Sequence, residues 1–271
     1  MAGSPGRVVH APDGTRIATF VSGDGPPILL VHGAASDHTT FRVVEPMLAP
    51  RYTVHALDRR GRGASGDGPR YDIEREFDDV AAVVDAVAGE SGGPVDVVGH
   101  SFGGRVGLGA ALRTPNLRRL VAYEGAPAPA GTPYQAPDLL GRLRSLADAG
   151  RNEELLSTFL AEVIGMSGAD LAAYRANPVW PARVAAAPTI VREIEAEASA
   201  TAGLDALGSV GVPVLQILGG ASRPAFRTAT EALQERLANG RIAVIEGAKH
   251  AAHHTHPDRF VAEVGGFLAA P

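Results

Sequence analysis

The sequence contains 271 residues, of which 45% are hydrophobic and 20% are charged, as expected for a globular chain with a sizeable core. Its formal net charge of −5 argues against nucleic acid as a partner, because nucleic-acid binding relies on positive charge. Cysteine is absent, which excludes disulfides and a cysteine nucleophile. The N-terminal residues MAGSPGRVVH lack the apolar stretch of a secretory signal, and no uncharged apolar run reaches membrane-spanning length. We therefore expect a soluble, cytoplasmic protein without membrane insertion.

The N-terminal part of the sequence predicts the first strands of a sheet. Two β-like runs flank Asp13-Gly14, which predicts an antiparallel hairpin at the edge of the sheet. Residues 27–31 and 52–57 are typical of buried strands. Apolar residues then recur at helical spacing between Glu74 and Ala88.

Strands and helices continue to alternate further along the chain. Short apolar runs at 95–98, 117–123, 214–218 and 242–245 predict four more strands, and residues 105–113 predict a helix of small residues. This alternation predicts an α/β fold, in which a mostly parallel, twisted sheet carries helices on both faces.

One segment, residues 125–207, interrupts the alternation. It opens with a proline-rich stretch that is incompatible with regular structure, because proline removes a backbone donor and fixes φ. Helical patterns follow at residues 139–149, 153–164 and 185–200. We therefore predict a core formed by residues 1–124 and 208–271, with a helical cap, or lid, formed by residues 125–207.

The strongest local motif is Gly99-His100-Ser101-Phe102-Gly103, which matches the G-x-S-x-G nucleophile elbow. A β-like run precedes it and a helical run follows, as the motif requires. In such a turn the backbone is strained, and glycines are needed where the chain passes close to itself. The serine hydroxyl then stands at the start of a helix, where N–H groups can stabilise developing negative charge.

With three further motifs, the elbow makes the sequence resemble the α/β-hydrolase fold superfamily. These motifs are Leu30-Val31-His32-Gly33, the turn from Asp58 to Ser65, and Gly247-Ala248-Lys249-His250 followed by His256-Pro257-Asp258. The resemblance runs from the first hairpin to the last helix. It specifies the fold more closely than the reaction, because this fold carries many chemistries.

The resemblance implies a nucleophile, a base and an oxyanion hole. Ser101 is the implied nucleophile, and His250, in the loop after the last strand, is the implied base. The backbone N–H groups of Ala34 and Phe102 are the implied oxyanion donors. His32 is expected to organise its loop rather than to react.

Several histidines lie close to His250 in the sequence. His253, His254 and His256 follow at a spacing that also invites a metal-site interpretation. No nearby carboxylate pattern supports a metal, so we expect these side chains to pack or to line the rim. No metal and no organic cofactor are predicted.

The position of the acid departs from the commonest pattern of the superfamily. That pattern has an aspartate after the penultimate strand, but residues 219–223 contain no carboxylate. Another family pattern has the acid one strand earlier, where Glu124 ends a predicted strand. Glu124 is therefore predicted to orient the base, and Glu246 is the alternative.

Two other regions have competing interpretations. The turn from Asp58 to Ser65 contains three arginines and could suggest phosphate binding, but in the superfamily it is a structural turn below the site. Aromatic and apolar residues of the inserted segment fit either a pocket lining or the segment's own core. They are Phe159, Met166, Tyr174, Val179 and Trp180.

The leading prediction is a serine hydrolase that cleaves carboxylic esters through an acyl-enzyme, with a Ser-His-Glu triad and a small apolar ester-like substrate. Other reactions on this fold are alternatives: thioesterase, lactonase, C–C bond hydrolase, cofactor-free perhydrolase and amide hydrolysis. A ligand-binding protein on a hydrolase scaffold is an alternative of another class. The oligomeric state is not predicted.

Overall fold

A computed structural model describes residues 6–270. Residues 1–5 and 271, which the sequence analysis assigned to the core, lie outside the described residues. Within the described chain, eight strands form one sheet. The strands are β1 (Arg7–His10), β2 (Arg16–Ser22), β3 (Pro27–Val31), β4 (Thr53–Asp58), β5 (Val95–His100), β6 (Leu117–Tyr123), β7 (Val214–Gly219) and β8 (Gly240–Ile245).

Helices connect most of these strands. Short 3₁₀ segments occur at His38–Phe41 and Ala200–Ala202. The helices are α1 (Glu45–Leu48), α2 (Ile73–Ser91), α3 (Phe102–Ala111), α4 (Leu139–Asp148), α5 (Asn152–Phe159), α6 (Gly168–Arg175), α7 (Trp180–Ala186), α8 (Thr189–Ala196), α9 (Leu204–Leu207), α10 (Pro224–Gln234), α11 (Ala252–Thr255) and α12 (Pro257–Leu268).

The sheet has the strand order β1-β2-β4-β3-β5-β6-β7-β8. The β1–β2 and β2–β4 pairs are antiparallel, and every other neighbouring pair is parallel. In β3, Leu29 and Val31 belong to the apolar cluster that contains α2 and α3, whereas Ile28 and Leu30 belong to the cluster that contains α12. The predicted edge hairpin, the mostly parallel sheet and the helices on both faces are therefore confirmed.

Some predicted helix boundaries are wrong. The helix predicted over 105–113 already begins at Phe102, immediately after the elbow serine. The helix predicted over 185–200 is divided between α7 and α8, because Pro188 lacks the N–H that a continuous helix needs. The segment predicted as helix over 153–164 ends in a π-helical turn, Leu160–Ile164.

The chain between β6 and β7 is helical and contains no strand. We call residues 125–207 of this connection the inserted segment. A buried ionic cluster ties it to the sheet. The Arg59 guanidinium donates to Glu76 Oε1 of α2 at 2.6 Å and to Glu193 Oε1 of α8 at 2.6 Å. Arg62 also donates to Glu193. Removing one partner of such a cluster typically costs about 3–5 kcal/mol, because a buried charge is left unpaired.

This cluster also decides between the two interpretations of the arginine-rich turn. Arg59 and Arg62 donate hydrogen bonds to the two glutamates, and Arg60 donates to Asp79 at 2.6 Å. Burial alone would raise the pKa of Glu76, but the charges of Arg59 and Arg62 outweigh burial and lower it. The turn is an internal structural element, and its arginines are committed to carboxylates.

The elbow depends on close backbone packing between β3, β5 and α3. A Cβ atom added at Gly99 would overlap the carbonyl oxygen of Gly103, and one added at Gly103 would overlap the carbonyl oxygens of Val31 and His32. These neighbours are main-chain atoms, so they cannot rotate away from an added methyl group.

We expect Gly103→Ala to lower the free energy of unfolding by about 3 kcal/mol, because overpacking against rigid backbone is destabilising. Urea-induced unfolding measures the change. The matched control is Gly89→Ala within α2, where nothing lies within 4 Å of the added Cβ. That variant should gain about 0.5–1 kcal/mol, because alanine favours helix over glycine. Equal stability of the two variants would contradict the packing argument.

Candidate active site

Ser101 stands at the turn between β5 and α3. Its backbone has φ 54° and ψ −126°, a strained conformation for a residue other than glycine. Its N–H donates to the carbonyl oxygen of Tyr123 at 2.7 Å, which fixes the turn to the end of β6. The side chain therefore leaves the sheet at the N-terminal end of α3, where the helix dipole favours negative charge.

Glu124 and His250 form a buried carboxylate–imidazole pair. Glu124 Oε2 lies 2.5 Å from His250 Nδ1, and its Oε1 accepts from the N–H of Gly219 at 2.8 Å. The backbone of Glu124 has φ 46°, and its N–H donates to the carbonyl oxygen of Ile217 at 3.0 Å. The end of β7 therefore holds the carboxylate of Glu124 against the imidazole.

The loop that carries His250 is held on several sides. The Tyr123 hydroxyl donates to the carbonyl oxygen of Lys249 and accepts from the N–H of Ala252 at 2.9 Å. His100 Nε2 lies 2.8 Å from the carbonyl oxygen of His250, and the Phe226 ring stacks on the His250 ring at a centroid distance of 4.5 Å. These contacts leave the imidazole little freedom to turn.

Ser101 and His250 are brought to one cavity without being hydrogen-bonded to each other. Among the described residues, His250 Nε2 has no hydrogen-bond partner. Both residues line the same cavity. A catalytic hydrogen bond is often absent or long before substrate binds, so this geometry is compatible with proton transfer between the two groups.

Ala34 and Phe102, the two predicted oxyanion donors, line a common cavity with Ser101. Phe102 is the first residue of α3, so its N–H has no acceptor within the helix. Arg59 contacts both sides of this arrangement. Its Nη1 donates to the carbonyl oxygen of Gly33 at 3.1 Å, and its guanidinium lies 4.6 Å from the centroid of the Phe102 ring.

Two cavities meet at Ser101. Cavity A, of about 40 Å³, is lined by Phe102 and Glu124 on the core side and by α8 residues such as Ile190. Cavity B, of about 140 Å³, is lined by His250 on the core side and by Phe159 of the inserted segment, which also borders cavity A. Both cavities are mainly apolar, as is usual for sites that bind small organic molecules.

The remaining predicted residues occupy supporting positions. Glu246, the alternative acid, is exposed. His32 Nε2 accepts from the N–H of Arg59 at 3.1 Å and thereby organises the loop after β3. His253 is buried among aromatic rings, including Phe41 and Tyr123. Among residues 6–270, no three His, Asp or Glu side chains are grouped so that they could hold one metal ion.

The aromatic residues of the inserted segment divide between the two predicted roles. Phe159, Met166 and Tyr174 line cavity B. Trp180 is buried and packs against Tyr174 with ring centroids 5.5 Å apart. The residues that line cavity B are therefore in direct contact with the core of the inserted segment, through Tyr174 and Trp180.

Sequence reasoning missed the charged residues that border the cavities, among them Glu193 beside cavity A and two arginines. Arg105 of α3 lines cavity A and lies 3.2 Å from Glu197 Oε1. Arg183 of α7 lines cavity B and lies 2.8 Å from Asp37 Oδ1. Neither pair has a local pattern in the sequence, because the partners are far apart along the chain.

The order of the strands, with a strained serine between β5 and α3, is that of an α/β-hydrolase fold. A family model described as the alpha/beta hydrolase family matches residues 28–263. The chain belongs to the alpha/beta hydrolase family.

Individual proteins match this chain in sequence or in structure. An alpha/beta hydrolase of known structure from Sphaerobacter thermophilus DSM 20745 is 33% identical, with a TM-score of 0.79, and the match covers 94% of this chain and 99% of that one. A pimeloyl-[acyl-carrier protein] methyl ester esterase from Neisseria meningitidis is 28% identical over 251 residues, which are 89% of this chain and 92% of that protein. A probable oxidoreductase EphD from Mycobacterium tuberculosis is 38% identical over 122 residues, which are 43% of this chain but only 20% of that longer protein. Within residues 6–270, no helix has both the length and the apolarity needed to span a membrane.

Histidines near the site link stability to pH. Burial, with contributions from neighbouring histidines, lowers the pKa of His100 and His253 well below the ordinary value. Burial and the charges of Arg42 and Arg183 lower the pKa of His254 to about 4. In the unfolded chain, histidine binds a proton below a pKa of about 6.5. Because the unfolded state then binds more protons, each of these histidines reduces stability as the pH falls from about 6.5 toward 4.

We expect His253→Phe to weaken the pH dependence of the free energy of unfolding, by up to about 1.4 kcal/mol per pH unit between about pH 6 and 5. Urea unfolding at several pH values measures the slope. Burial raises the pKa of Asp79 to about 6, so the folded state binds this proton more tightly and Asp79 increases stability as the pH falls. Asp79 is present in both proteins, so the difference in slope between the variant and the wild type isolates the contribution of His253. His10→Phe, at an exposed position, is the control. A slope in His253→Phe equal to that of the wild type would contradict the argument.

Proposed function

We propose that this protein is a serine hydrolase that cleaves carboxylic esters through an acyl-enzyme intermediate. Ser101 is the proposed nucleophile, His250 the general base and Glu124 the anion that orients the imidazole. The N–H groups of Ala34 and Phe102 are the proposed oxyanion donors. The observation that carries the proposal is the buried contact between Glu124 Oε2 and His250 Nδ1 at 2.5 Å, beside the cavity that contains Ser101.

In the proposed reaction, Ser101 Oγ attacks the ester carbonyl carbon while His250 Nε2 accepts the serine proton. The carbonyl oxygen becomes an oxyanion, and the two backbone N–H groups stabilise it. His250 then gives its proton to the alcohol oxygen as the ester C–O bond breaks. His250 then accepts a proton from a water molecule, whose oxygen attacks the acyl carbon. His250 returns this proton to Ser101 Oγ as the acyl C–O bond breaks, which releases the acid and restores Ser101. Glu124 stabilises the positive charge on the imidazole in both steps.

The comparisons add support for an ester. The name of the Neisseria meningitidis relative specifies a methyl ester esterase, and that relative matches most of this chain. We also propose that the inserted segment, residues 125–207, is the cap of the site. The support is that Phe159 borders both cavities and that α8 contributes to the wall of cavity A.

Removing the proposed nucleophile tests the reaction class. We expect Ser101→Ala to reduce the turnover of p-nitrophenyl acetate by roughly 10⁴-fold or more, because triad members act as a unit. The wild type should also form a covalent adduct with a fluorophosphonate probe, and the variant should not. Mass spectrometry of each intact protein detects the adduct. Turnover by Ser101→Ala near the wild-type rate would contradict the mechanism, whereas an inert wild type would favour a ligand-binding protein.

Neutralising the proposed acid tests the triad. Glu124→Gln keeps the size of the side chain but removes the anion, so we expect the kcat for an ester to fall by as much as about 10⁴-fold, as in the equivalent change of a serine-protease triad. Glu246→Gln is the matched control: it removes the same charge from an exposed residue of the same region, and its kcat should equal that of the wild type. If Glu246→Gln were the slower variant, the acid would be assigned wrongly.

A further inference from the structure

Cavity B contains a buried arginine that the proposed reaction does not use. Arg183 is only 2% exposed, and its Nη2 donates to Thr39 Oγ1 at 2.8 Å. Its Nη1 forms an ion pair with Asp37, at 2.8 Å from Oδ1, but the geometry is not that of a hydrogen bond. Its Nε has no hydrogen-bond partner among the described residues. Leaving a buried donor unsatisfied costs about 1–3 kcal/mol. Within the described chain, three other arginines also have an unpartnered Nε: Arg62, Arg105 and Arg192. What distinguishes Arg183 is its position in the wall of cavity B, which His250 also lines.

A second unpartnered group lies on the wall of the same cavity. His254 of α11 lines cavity B, and within residues 6–270 its Nδ1 has no hydrogen-bond partner. Apart from burial, the influences that lower the pKa of its ring are the positive charges of Arg42 and Arg183. The imidazole is therefore neutral near pH 7.

The two walls of cavity B differ in polarity. Ser36 and Thr40, whose hydroxyl oxygens lie 2.5 Å apart, line it together with Arg183 and His254. The inserted segment contributes an apolar wall to the same cavity: Leu156, Phe159, Leu160 and Ile164. A ligand that fills this space needs a short apolar body and an acceptor group at one end. A carboxylate fits best, because a guanidinium donates to it with matching planar geometry.

The position of cavity B relates this ligand to the reaction. His250 lines cavity B, and the leaving alcohol must accept its proton from His250. The alcohol portion of an ester therefore occupies cavity B, rather than cavity A. Its volume of about 140 Å³ is close to that of a cavity of about 150 Å³ that accommodates benzene. The leaving group thus has on the order of six non-hydrogen atoms.

We propose that cavity B is a carboxylate-binding subsite and that the preferred substrates are esters of short hydroxy acids, with Arg183 as the residue that determines this specificity. The inference rests on the proposed ester hydrolysis. The Arg183 guanidinium binds the free carboxylate of the alcohol portion, and His250 protonates the hydroxyl oxygen of the hydroxy acid as it leaves.

Two isosteric esters test the preference. The wild type should hydrolyse 3-acetoxypropanoate with a kcat/KM at least about tenfold above that for 3-acetoxypropanamide, because a charge-assisted hydrogen bond contributes about 1.5–3 kcal/mol. In Arg183→Gln the ratio of the two kcat/KM values should fall below about two. A pH-stat measures both reactions. A wild-type ratio near one would overturn the inference while leaving the ester hydrolase standing.

The matched control is Arg192→Gln. Arg192 also joins the inserted segment to the core through an aspartate, Asp67 at 2.7 Å, but it lines neither cavity. This variant should retain the wild-type ratio. If Arg183→Gln fails to fold because Asp37 is left unpaired, the double variant Asp37→Asn/Arg183→Gln removes both charges and should lose the preference in the same way.

Binding of the free hydroxy acid tests the subsite independently of ester hydrolysis. The wild type should bind 3-hydroxypropanoate at millimolar concentration in calorimetry, and Arg183→Gln should bind it at least about tenfold more weakly. Failure of the wild type to bind the acid, or equal binding by the variant, would overturn the subsite. Binding without hydrolysis of either ester would instead overturn the proposed function and leave the subsite standing.

Discussion

The geometry of the site depends on how closely the main chain of the elbow approaches the end of β3. Gly99 and Gly103 have no room for a Cβ atom, because Gly103 packs on the end of β3 and Gly99 packs on the first turn of α3. Ser101 is therefore held at φ 54°, a conformation that costs about 1–3 kcal/mol and persists because its surroundings fix it. Ser101 thus stands immediately before α3, whose first N–H group, that of Phe102, is a proposed oxyanion donor.

A second main-chain contact explains the position of the carboxylate. A Cβ atom added at Gly125 would lie 2.7 Å from Gly104 Cα, so the end of β6 also packs backbone to backbone on α3. This approach accompanies the positive φ of Glu124 and turns its side chain toward β7. The end of β7 supplies only the N–H of Gly219 to this carboxylate. Residues 219–223, which follow β7, contain no acid. The carboxylate that pairs with the imidazole of His250 comes instead from Glu124, at the end of β6.

Local patterns were sufficient to predict the strands and the elbow, because each depends on residues that are adjacent in sequence. The pairing of Glu124 with His250 was predicted from the resemblance to the α/β-hydrolase superfamily, since no local pattern joins residues so far apart. The buried partners of Arg59 were not predictable in the same way, since Glu193 is separated from it by 134 residues. A weak signal existed: Glu76 lies on the apolar side of α2, next to Phe77. The break between α7 and α8 was also visible as Pro188, but the surrounding alanines favoured a continuous helix.

The contacts divide the molecule into a part that holds the three proposed catalytic residues and a part that shapes the cavities. Ser101, Glu124 and His250 are fixed by residues of the sheet and its own loops. The cavity walls from the inserted segment are joined to the core by ion pairs instead: Glu193 with Arg59 beside cavity A, and Arg183 with Asp37 beside cavity B. The same side chains therefore attach the segment and set the polarity of the cavities. Under the proposed function, substitutions there would change specificity and attachment together, whereas the geometry of Ser101, Glu124 and His250 depends on hydrogen bonds within the sheet and its own loops.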